Sequence, residues 1–282
     1  MRPSSPGTVL VVGASSGIGR AAAAMLARRG HRVFGSSRAR ARIDLDGVEP
    51  VELDVRDGTS VNAAVDGILA RADGIDAVVY SAGFYVAGAV EETTAELAHE
   101  QLDGYLVGAH RVVRAVLPSM RSRRGGRLVL MSSTAAVGAI PFHAMYSASK
   151  AALEHYAEAL RSEVLPFGIH VACVQGTGVR SGALASVRIA SPEIAAYRPR
   201  RDRAVAGFRA LQASGPEPAT IAAVVVRAVE ERRRRPVYRV GPTARWLPWA
   251  RVLLPRLLFE RAMGGYVERA AAGRPRLAGT RA

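Results

Sequence analysis

The sequence is short of lysine, of cysteine and of long apolar runs. Lys150 is the only lysine among 39 basic residues, so all the others are arginine. Cys173 is the only cysteine, which excludes an intramolecular disulfide, and its place in the apolar run IHVACV predicts a buried strand residue. No run of about 18 apolar residues occurs, so we expect no transmembrane helix.

The N-terminus lacks the pattern of a signal peptide. The residues MRPSSPGTVLVVGASSG go from a short polar stretch into an apolar run and a glycine-rich turn. A signal peptide instead has an apolar region followed by a small-residue cleavage site. We therefore expect a cytoplasmic protein. Its 49% hydrophobic and 22% charged residues are typical of a globular domain and unlike a disordered chain.

Acidic residues are scarce relative to basic ones, which gives a net charge of +15. The arginines are nevertheless scattered, and the local runs ERRRRP (231–236) and RSRRGGR (121–127) lie at a predicted helix end and before a predicted strand. Cations at a helix C-terminus are stabilising without any ligand. Since no DNA-binding motif or aromatic-interleaved basic patch occurs, we predict a solvated arginine-rich surface and no specific nucleic-acid partner.

Short apolar runs alternate with longer segments of helical period. The runs TVLVVGA (8–14), IDAVVYSAG (75–83) and GRLVLMSS (126–133) are continuously apolar, as strands of a parallel sheet covered on both faces are. The pattern predicts an α/β fold with a single doubly wound parallel sheet of the Rossmann type. We place this dinucleotide-binding and catalytic domain at residues 1–242.

The C-terminal third is less regular. Residues 182–214 are rich in Ala, Ser, Arg and Pro and predict a mobile helical lid. Residues 243–282 form a tail whose first part is apolar and basic. We favour packing of this tail on the domain or on a partner subunit, because Pro248 and Pro255 are expected to divide it into short pieces. Weak contact with a membrane surface is the alternative.

A glycine-rich turn follows the first predicted strand. VVGASSGIGR (11–20) places Gly13, Gly17 and Gly19 between that strand and a helix. Gly13 allows the tight turn, Gly17 lets the backbone approach a pyrophosphate, and Gly19 lets the helix pack close to the sheet. The helix N-terminus then presents free N–H groups to the anion. We predict a dinucleotide phosphate site that also includes Ser15, Ser16 and Ile18.

Four motifs follow one another in an order that identifies a family. GASSGIG (13–19), SAG (81–83), Ser133 and YSASK (146–150) together resemble the short-chain dehydrogenase/reductase family, over residues 8–181. The tail segment YRVGPTARWLPWARVLLPRLL is loosely similar to steroid and retinol dehydrogenase-type members. The resemblance implies an NAD(P) cofactor, a Ser-Tyr-Lys catalytic set and a homo-oligomer, either a dimer or a tetramer.

Tyr146 and Lys150 have the spacing of an acid/base and its activator. Hydride transfer to a carbonyl builds negative charge on an oxygen that then needs a proton. A free phenol has a pKa of about 10, and a fixed cation nearby brings it closer to neutrality. Residues i and i+4 share a helix face, so Lys150 is placed to do this for Tyr146. A guanidinium is bulkier and effectively never deprotonates, which explains the one lysine.

Two further residues belong to the predicted catalytic region. By resemblance, Ser133 anchors the substrate oxygen, and Lys150 also hydrogen-bonds the nicotinamide ribose. Side-chain alternation along the strand should point only one of Ser132 and Ser133 into the site. His143 is predicted to be a pocket-wall or surface residue rather than a general base.

The second predicted strand bears on cofactor choice. An NAD site usually has an acidic residue after this strand, but FGSSRARAR (34–42) has none before Asp44. Arg38 can pair with a 2′-phosphate, with Ser37 as a further donor, so we predict NADP(H) over NAD(H). The alternative is that Arg38 is one more surface arginine.

By resemblance, Asp54 contacts the adenine; it can instead cap the next helix, for which Asp57 is better placed. The remaining predicted cofactor contacts are Val55, Ser81, Ala82, Gly83, Tyr146, Lys150, Gly176, Thr177 and Val179, and no metal site is predicted.

The sequence departs from the family pattern in three places. The usual NNAG reads YSAG, with Tyr80 and Ser81 in place of the asparagines. The asparagine that holds a water in the relay to Lys150 is replaced by Tyr105, which either holds a water through its hydroxyl or blocks the site. The usual Pro-Gly after the sixth strand is replaced by Gly176 and Thr177.

Three functions are consistent with these residues. The first is an NADP(H)-dependent oxidoreductase that interconverts a ketone and a secondary alcohol of a small to medium-sized, fairly apolar substrate, since the lid and tail supply alanines, leucines, Trp246 and Trp249. The second is a cofactor-binding protein with little turnover and a regulatory or structural role. The third is an epimerase or dehydratase of the same fold.

Overall fold

A computed structural model describes residues 6–180, 187–231, 233 and 235–271 of the chain. Its strands are Thr8–Val12 (β1), Arg32–Ser37 (β2), Val48–Glu52 (β3), Ala77–Tyr80 (β4), Val86–Ala87 (β5), Gly126–Ser133 (β6), Ile169–Gly176 (β7), Arg188–Ile189 (β8) and Val237–Arg239 (β9). Its α-helices are Gly17–Arg28 (α1), Gly58–Leu69 (α2), Ala95–Leu102 (α3), Gly108–Ser122 (α4), Ala144–Val164 (α5), Arg198–Ala213 (α6), Pro218–Glu230 (α7), Pro242–Leu253 (α8) and Arg256–Ala271 (α9).

The central sheet has seven strands in the order β3-β2-β1-β4-β6-β7-β9, and all its pairings are parallel. This confirms the predicted doubly wound Rossmann-type fold. The order reverses at β1, with β2 and β3 on one side and β4 on the other. Ligands of such sheets bind in the crevice beyond the carboxyl ends of the strands at this switch point.

Helices cover both faces of the sheet because side chains alternate along each strand. In β1, Leu10 and Val12 pack in one cluster with residues of α2, α4 and α5. Val9 and Val11 face the opposite way and pack with residues of α1 and α7. Cys173 of β7 lies in the first cluster and is buried, as predicted.

The helical segment between β5 and β6 is interrupted. Between α3 and α4 the backbone forms a π-helical turn at Asp103–Val107, which widens the helix locally. Tyr80 at the end of β4 donates a hydrogen bond from its hydroxyl to the Gly104 carbonyl at 2.6 Å. The tyrosine that replaces the family's first asparagine therefore fixes the π turn, and this turn carries Tyr105.

The segment predicted to be a lid contains β8 and helix α6, while residues 181–186 lie outside the described part of the chain. Helix α6 packs against α9 so closely that a Cβ at Gly207 would collide with the Val267 carbonyl oxygen. The glycine is therefore required for this packing.

The expectation that Pro248 breaks the tail was wrong. Pro248 lies inside α8, and Pro255 alone separates α8 from α9. The helix continues through Pro248 because buried Ala244 and Leu247 hold it against the domain. Within the described ranges, no helix has the length and apolar character needed to span a bilayer.

Candidate active site

A cleft of about 320 Å³ opens at the switch point of the sheet. It collects residues from the turns after β1, β2, β3 and β4. The predicted cofactor residues that line it are Gly13, Ser15, Ser16, Ser37, Arg38, Asp54, Val55, Ser81, Ala82 and Gly83.

The glycine-rich turn forms a cradle at one end of this cleft. Gly13 and Gly17 both have positive φ, and a Cβ at Gly13 would lie 2.9 Å from the Ala82 nitrogen. Helix α1 begins at Gly17, Ser16 makes no side-chain capping bond, and the first turn, which includes Ile18 and Gly19, has no acidic residue. The N-terminal N–H groups of α1 are thus left for an anion, so the turn fits the pyrophosphate of a dinucleotide.

The other end of the cleft is strongly positive. Among the residues that the structure describes, four arginines line it, and Asp54 is the one carboxylate in the lining. Arg56 lies 3.6 Å from Asp54, and Arg188 pairs with Glu100 at 2.7 Å. Among the described residues, no carboxylate pairs with Arg38 or Arg42. The lining at this end therefore carries more positive than negative charge, which is electrostatically favourable for an anion.

Two neighbouring side chains are already engaged. The Ser37 hydroxyl donates to the Ala39 carbonyl at 2.5 Å, so it must rotate before it can donate to a ligand. Asp57 caps α2 by accepting a hydrogen bond from the Thr59 nitrogen at 2.8 Å, so Asp54 does not serve as the cap of this helix.

Ser133 and Tyr146 meet beside the cleft. Ser133 is the last residue of β6, Tyr146 lies in the first turn of α5, and a side-chain hydrogen bond joins their hydroxyls. Ser132 points elsewhere and bonds to Glu154. Burial raises the pKa of Tyr146 well above its ordinary value, so the lowering expected from Lys150 does not prevail and the phenol is protonated at neutral pH.

Lys150 lies one helical turn beyond Tyr146 and is buried. Its Nζ donates to the Met131 carbonyl at 2.7 Å. The same nitrogen lies 3.9 Å from the centre of the Tyr105 ring and 5.9 Å from that of Tyr146. Desolvation lowers the pKa of Lys150 to about 7. The ammonium thus faces both phenol rings but is closest to that of Tyr105.

Tyr105 occupies the position of the family's asparagine. It is buried, and burial raises the pKa of its hydroxyl. The ring fits because Gly83 has no side chain: a Cβ there would collide with the Tyr105 ring. The face of the Tyr105 ring lies over Lys150 Nζ, and this contact favours the blocking alternative of the two predicted for Tyr105.

Sequence reasoning missed Tyr85 and Gln212. The Tyr85 ring lies 4.8 Å from that of Tyr146, and the Tyr85 side chain hydrogen-bonds both the Tyr146 hydroxyl and Gln212 of α6. Tyr85 follows the SAG motif by two residues, which is a usable signal. Gln212 carries none, because α6 reaches the site only through tertiary packing.

The last residue of β7 and the residues that follow it also belong to this region. Gly176 pairs in register with Ser133, and Thr177 follows it directly. The N–H of Val179 donates to Gln212 Oε1 at 2.6 Å. This predicted cofactor contact is therefore held by α6 in the present conformation.

The wall of the site opposite the sheet is aromatic. Phe208 of α6 lies 5.3 Å from the Tyr85 ring and 4.3 Å from the ring of His143. His143 is buried, and desolvation lowers its pKa to about 4. A neutral imidazole with this pKa is a wall residue rather than a base at neutral pH. In the described part of the chain, no cluster of His, Cys, Asp or Glu has a metal-binding arrangement.

Comparisons with known proteins agree on the family. The family model "short chain dehydrogenase" matches residues 7–191. A 3-ketodihydrosphingosine reductase of Bacteroides thetaiotaomicron is 38% identical over 177 residues, which span 63% of this chain and 65% of that protein. Human 17-beta-hydroxysteroid dehydrogenase type 1 is 34% identical over 200 residues, 66% of this chain and 60% of that protein. The crystal structure of a short-chain dehydrogenase from Streptomyces avermitilis superposes with a TM-score of 0.79 and 31% identity, covering 95% of this chain and 98% of that one.

Proposed function

The chain belongs to the short-chain dehydrogenase family, whose members are NAD(P)-dependent oxidoreductases, and we propose that it is an NADP(H)-dependent reductase of ketones on fairly apolar molecules. The observation that carries the proposal is the hydrogen bond between Ser133 and Tyr146, with Lys150 on the same helix face, beside a glycine-rich cleft.

We assign the proton chemistry to Tyr146. The bound nicotinamide would supply the hydride. Ser133 donates a hydrogen bond to the substrate oxygen and fixes its position. Tyr146 is held protonated by burial, which is the form that transfers a proton from its hydroxyl to that oxygen. Lys150 would then stabilise the phenolate that remains, whereas the hydrogen bond with Tyr85 favours the protonated phenol before the transfer.

We assign the choice of NADP(H) to the positive end of the cleft. A carboxylate would repel the negative charge of a 2′-phosphate, whereas a guanidinium can donate two parallel hydrogen bonds to it. Arg38 and Arg42 are both in the lining and have no carboxylate partner among the described residues. Both features favour the phosphorylated cofactor.

We infer an apolar substrate from the wall of the site. The rings of Tyr85, Phe208 and Tyr146 contact one another there, so a substrate that reaches Tyr146 would meet aromatic side chains. The names of the two relatives, a ketodihydrosphingosine reductase and a hydroxysteroid dehydrogenase, agree with a keto or hydroxyl group on a large apolar skeleton. The homo-oligomeric state and the cytoplasmic location remain predictions.

One observation favours a second function, a cofactor-binding protein with little turnover. The Tyr105 ring lies over the Lys150 ammonium, at the position where the family pattern has an asparagine that holds a water of the relay. The protonated Tyr146 and its Ser133 partner favour turnover instead. We therefore place reduction first.

A screen of ketones with NADPH tests the proposal. The full-length protein is mixed with NADPH and long-chain 3-keto compounds, steroid ketones or small hydrophilic ketones, and absorbance of the reduced cofactor is followed in single-turnover and steady-state modes. We expect oxidation with the apolar ketones and slower oxidation with the hydrophilic ones. A change in NADPH fluorescence with no oxidation by any ketone would support the second function.

A further inference from the structure

The turn between α8 and α9 is an exposed apolar corner, which we define as residues 246–258. In the described part of the chain, seven of eleven exposed large apolar side chains lie in it. They are Trp246, Trp249, Val252, Leu253, Leu254, Leu257 and Leu258. Solitary exposed apolar residues are ordinary on a protein surface, but a contiguous group marks an interaction site.

The corner projects from the body of the protein. Residues 251–258 are eight consecutive exposed positions, and apolar side chains outnumber the two arginines among them. The helices that carry the corner are nevertheless firmly placed, because Leu247 and Phe259 on either side are buried. A corner that is anchored at its base and apolar at its tip fits insertion into a soft apolar phase better than it fits a rigid groove.

The charge around the corner specifies the partner. From residue 232 to residue 259 the sequence contains arginines and no aspartate or glutamate. Arg245, Arg251 and Arg256 are exposed in or beside the corner, and Arg256 pairs with Glu260 at 2.9 Å. A second copy of the same face would bring arginines against arginines. An anionic surface would neutralise them.

We propose that the apolar corner docks the protein on the surface of a bilayer that contains anionic lipids. Tryptophan and leucine side chains enter the interface between headgroups and acyl chains, and the arginines contact lipid phosphates. The proposal does not depend on the reaction assigned to the active site.

Docking would also bring the active site close to the lipid phase. Helix α8 packs on the short turn Thr134–Ala136 that directly follows Ser133. A Cβ at Gly138 would lie 2.8 Å from Met263 of α9. The two helices therefore pack on the loop that joins Ser133 to Tyr146. An apolar ketone dissolved in the bilayer would have a short route to these two residues.

The chain offers a direct probe of the corner. Its two tryptophans, Trp246 and Trp249, are both in the corner, so tryptophan emission, excited selectively over tyrosine, reports on this surface alone. Full-length protein is mixed with extruded vesicles of equal parts phosphatidylcholine and phosphatidylglycerol, or of phosphatidylcholine only. Emission and co-sedimentation are then measured. We expect a blue shift and sedimentation with the anionic vesicles, and weaker binding to the neutral ones or at high salt.

Matched variants locate the binding surface. Leu253→Ser with Leu257→Ser removes side chains that are 75% and 69% exposed and leaves both tryptophans in place. We expect partitioning into anionic vesicles to fall about tenfold or more, because full burial of one leucine side chain in an apolar phase is worth about a factor of ten or more in an equilibrium constant. The control, Val90→Ser with Leu165→Ser, changes side chains that are 74% and 55% exposed elsewhere, and should partition like the wild type.

Three outcomes would overturn the proposal. The wild type does not bind anionic vesicles, or the two double variants bind equally well. In the third, Leu253→Ser with Leu257→Ser converts a dimer to a monomer in sedimentation equilibrium and leaves vesicle binding unchanged, which would make the corner a subunit interface.

Discussion

Lys150 and Tyr105 form a buried cation–π pair, with the Lys150 nitrogen 3.9 Å from the centre of the ring. The pair unites the chain's only lysine with the residue that replaces the family's asparagine. Such contacts favour the charged form of lysine, whereas burial disfavours it. The balance between these effects decides how much positive charge faces Tyr146.

The protonation of Lys150 can be measured at a single atom. Lysine labelled with ¹³C at the ε position gives one side-chain resonance, because the chain has one lysine. We expect this resonance to titrate with a pKa of about 7, since burial is the dominant effect. Tyr105→Leu should lower the pKa further because the ring no longer favours the charged form, and Tyr105→Phe should leave it unchanged.

Two results would contradict this assignment. Titration near the ordinary pKa of lysine would mean that the ammonium is solvated. A rise in pKa in Tyr105→Leu would mean that the ring acts mainly by excluding water from Lys150.

The same pKa shift predicts a pH dependence of stability. The pKa of Lys150 is lower in the folded state than in the unfolded chain, so between about 7 and 10.5 the unfolded chain binds more protons. Stability from this residue therefore rises with pH in that window, by at most ~1.4 kcal/mol per pH unit. Lys150→Met has no such group. In urea unfolding of both proteins between about pH 6 and 9, the free energy of unfolding of the wild type should rise relative to that of the variant above neutral pH. Parallel pH dependences of the two free energies would contradict a buried lysine with a lowered pKa.

Tyr85 is expected to influence the pKa of the Tyr146 hydroxyl. Its hydrogen bond raises the pKa of Tyr146, so Tyr85→Phe should move the alkaline limb of the kcat profile to lower pH. The change keeps the ring that contacts Phe208, and kcat should fall about threefold to tenfold because one hydrogen bond to the reacting hydroxyl is lost. Gln212→Leu, which removes the partner on α6, should shift the profile in the same direction by less. If the pH profile of kcat did not move in Tyr85→Phe, Tyr85 would have only a packing role.

Cofactor preference tests the arginine end of the cleft. Arg38→Asp should weaken NADPH binding by about ten- to a hundredfold and leave NADH binding nearly unchanged, because a charge-assisted hydrogen bond is replaced by a repulsion. Arg40→Asp is the matched control: Arg40 is exposed, is absent from the cleft lining and bonds to the Pro50 carbonyl. Calorimetric titration with both cofactors measures the effect. Equal losses for NADPH and NADH in Arg38→Asp would show that Arg38 does not read the 2′-phosphate.

The sequence predicts best what is local in the chain. The glycine turn, the i and i+4 spacing of Tyr146 and Lys150, and burial of Cys173 each depend on residues close together. The strand alternation that separates Ser132 from Ser133 is of the same kind.

The missed features depend on tertiary packing. Tyr85 and Gln212 lie on elements far apart in sequence, and Tyr105 reaches Lys150 only through the π turn and the space beside Gly83. The helix through Pro248 was missed because its stability comes from the buried face of α8 rather than from local propensity.

The central claim is that the Tyr146 hydroxyl transfers the proton to a ketone. Single-turnover oxidation of NADPH by an active ketone should be about 10²–10⁴ times slower in Tyr146→Phe than in the wild type, because the acid/base group is removed. The dissociation constant for NADPH, measured by fluorescence, should stay within about twofold, since the phenol oxygen acts on the substrate rather than on cofactor affinity. Undiminished oxidation in Tyr146→Phe would contradict the account.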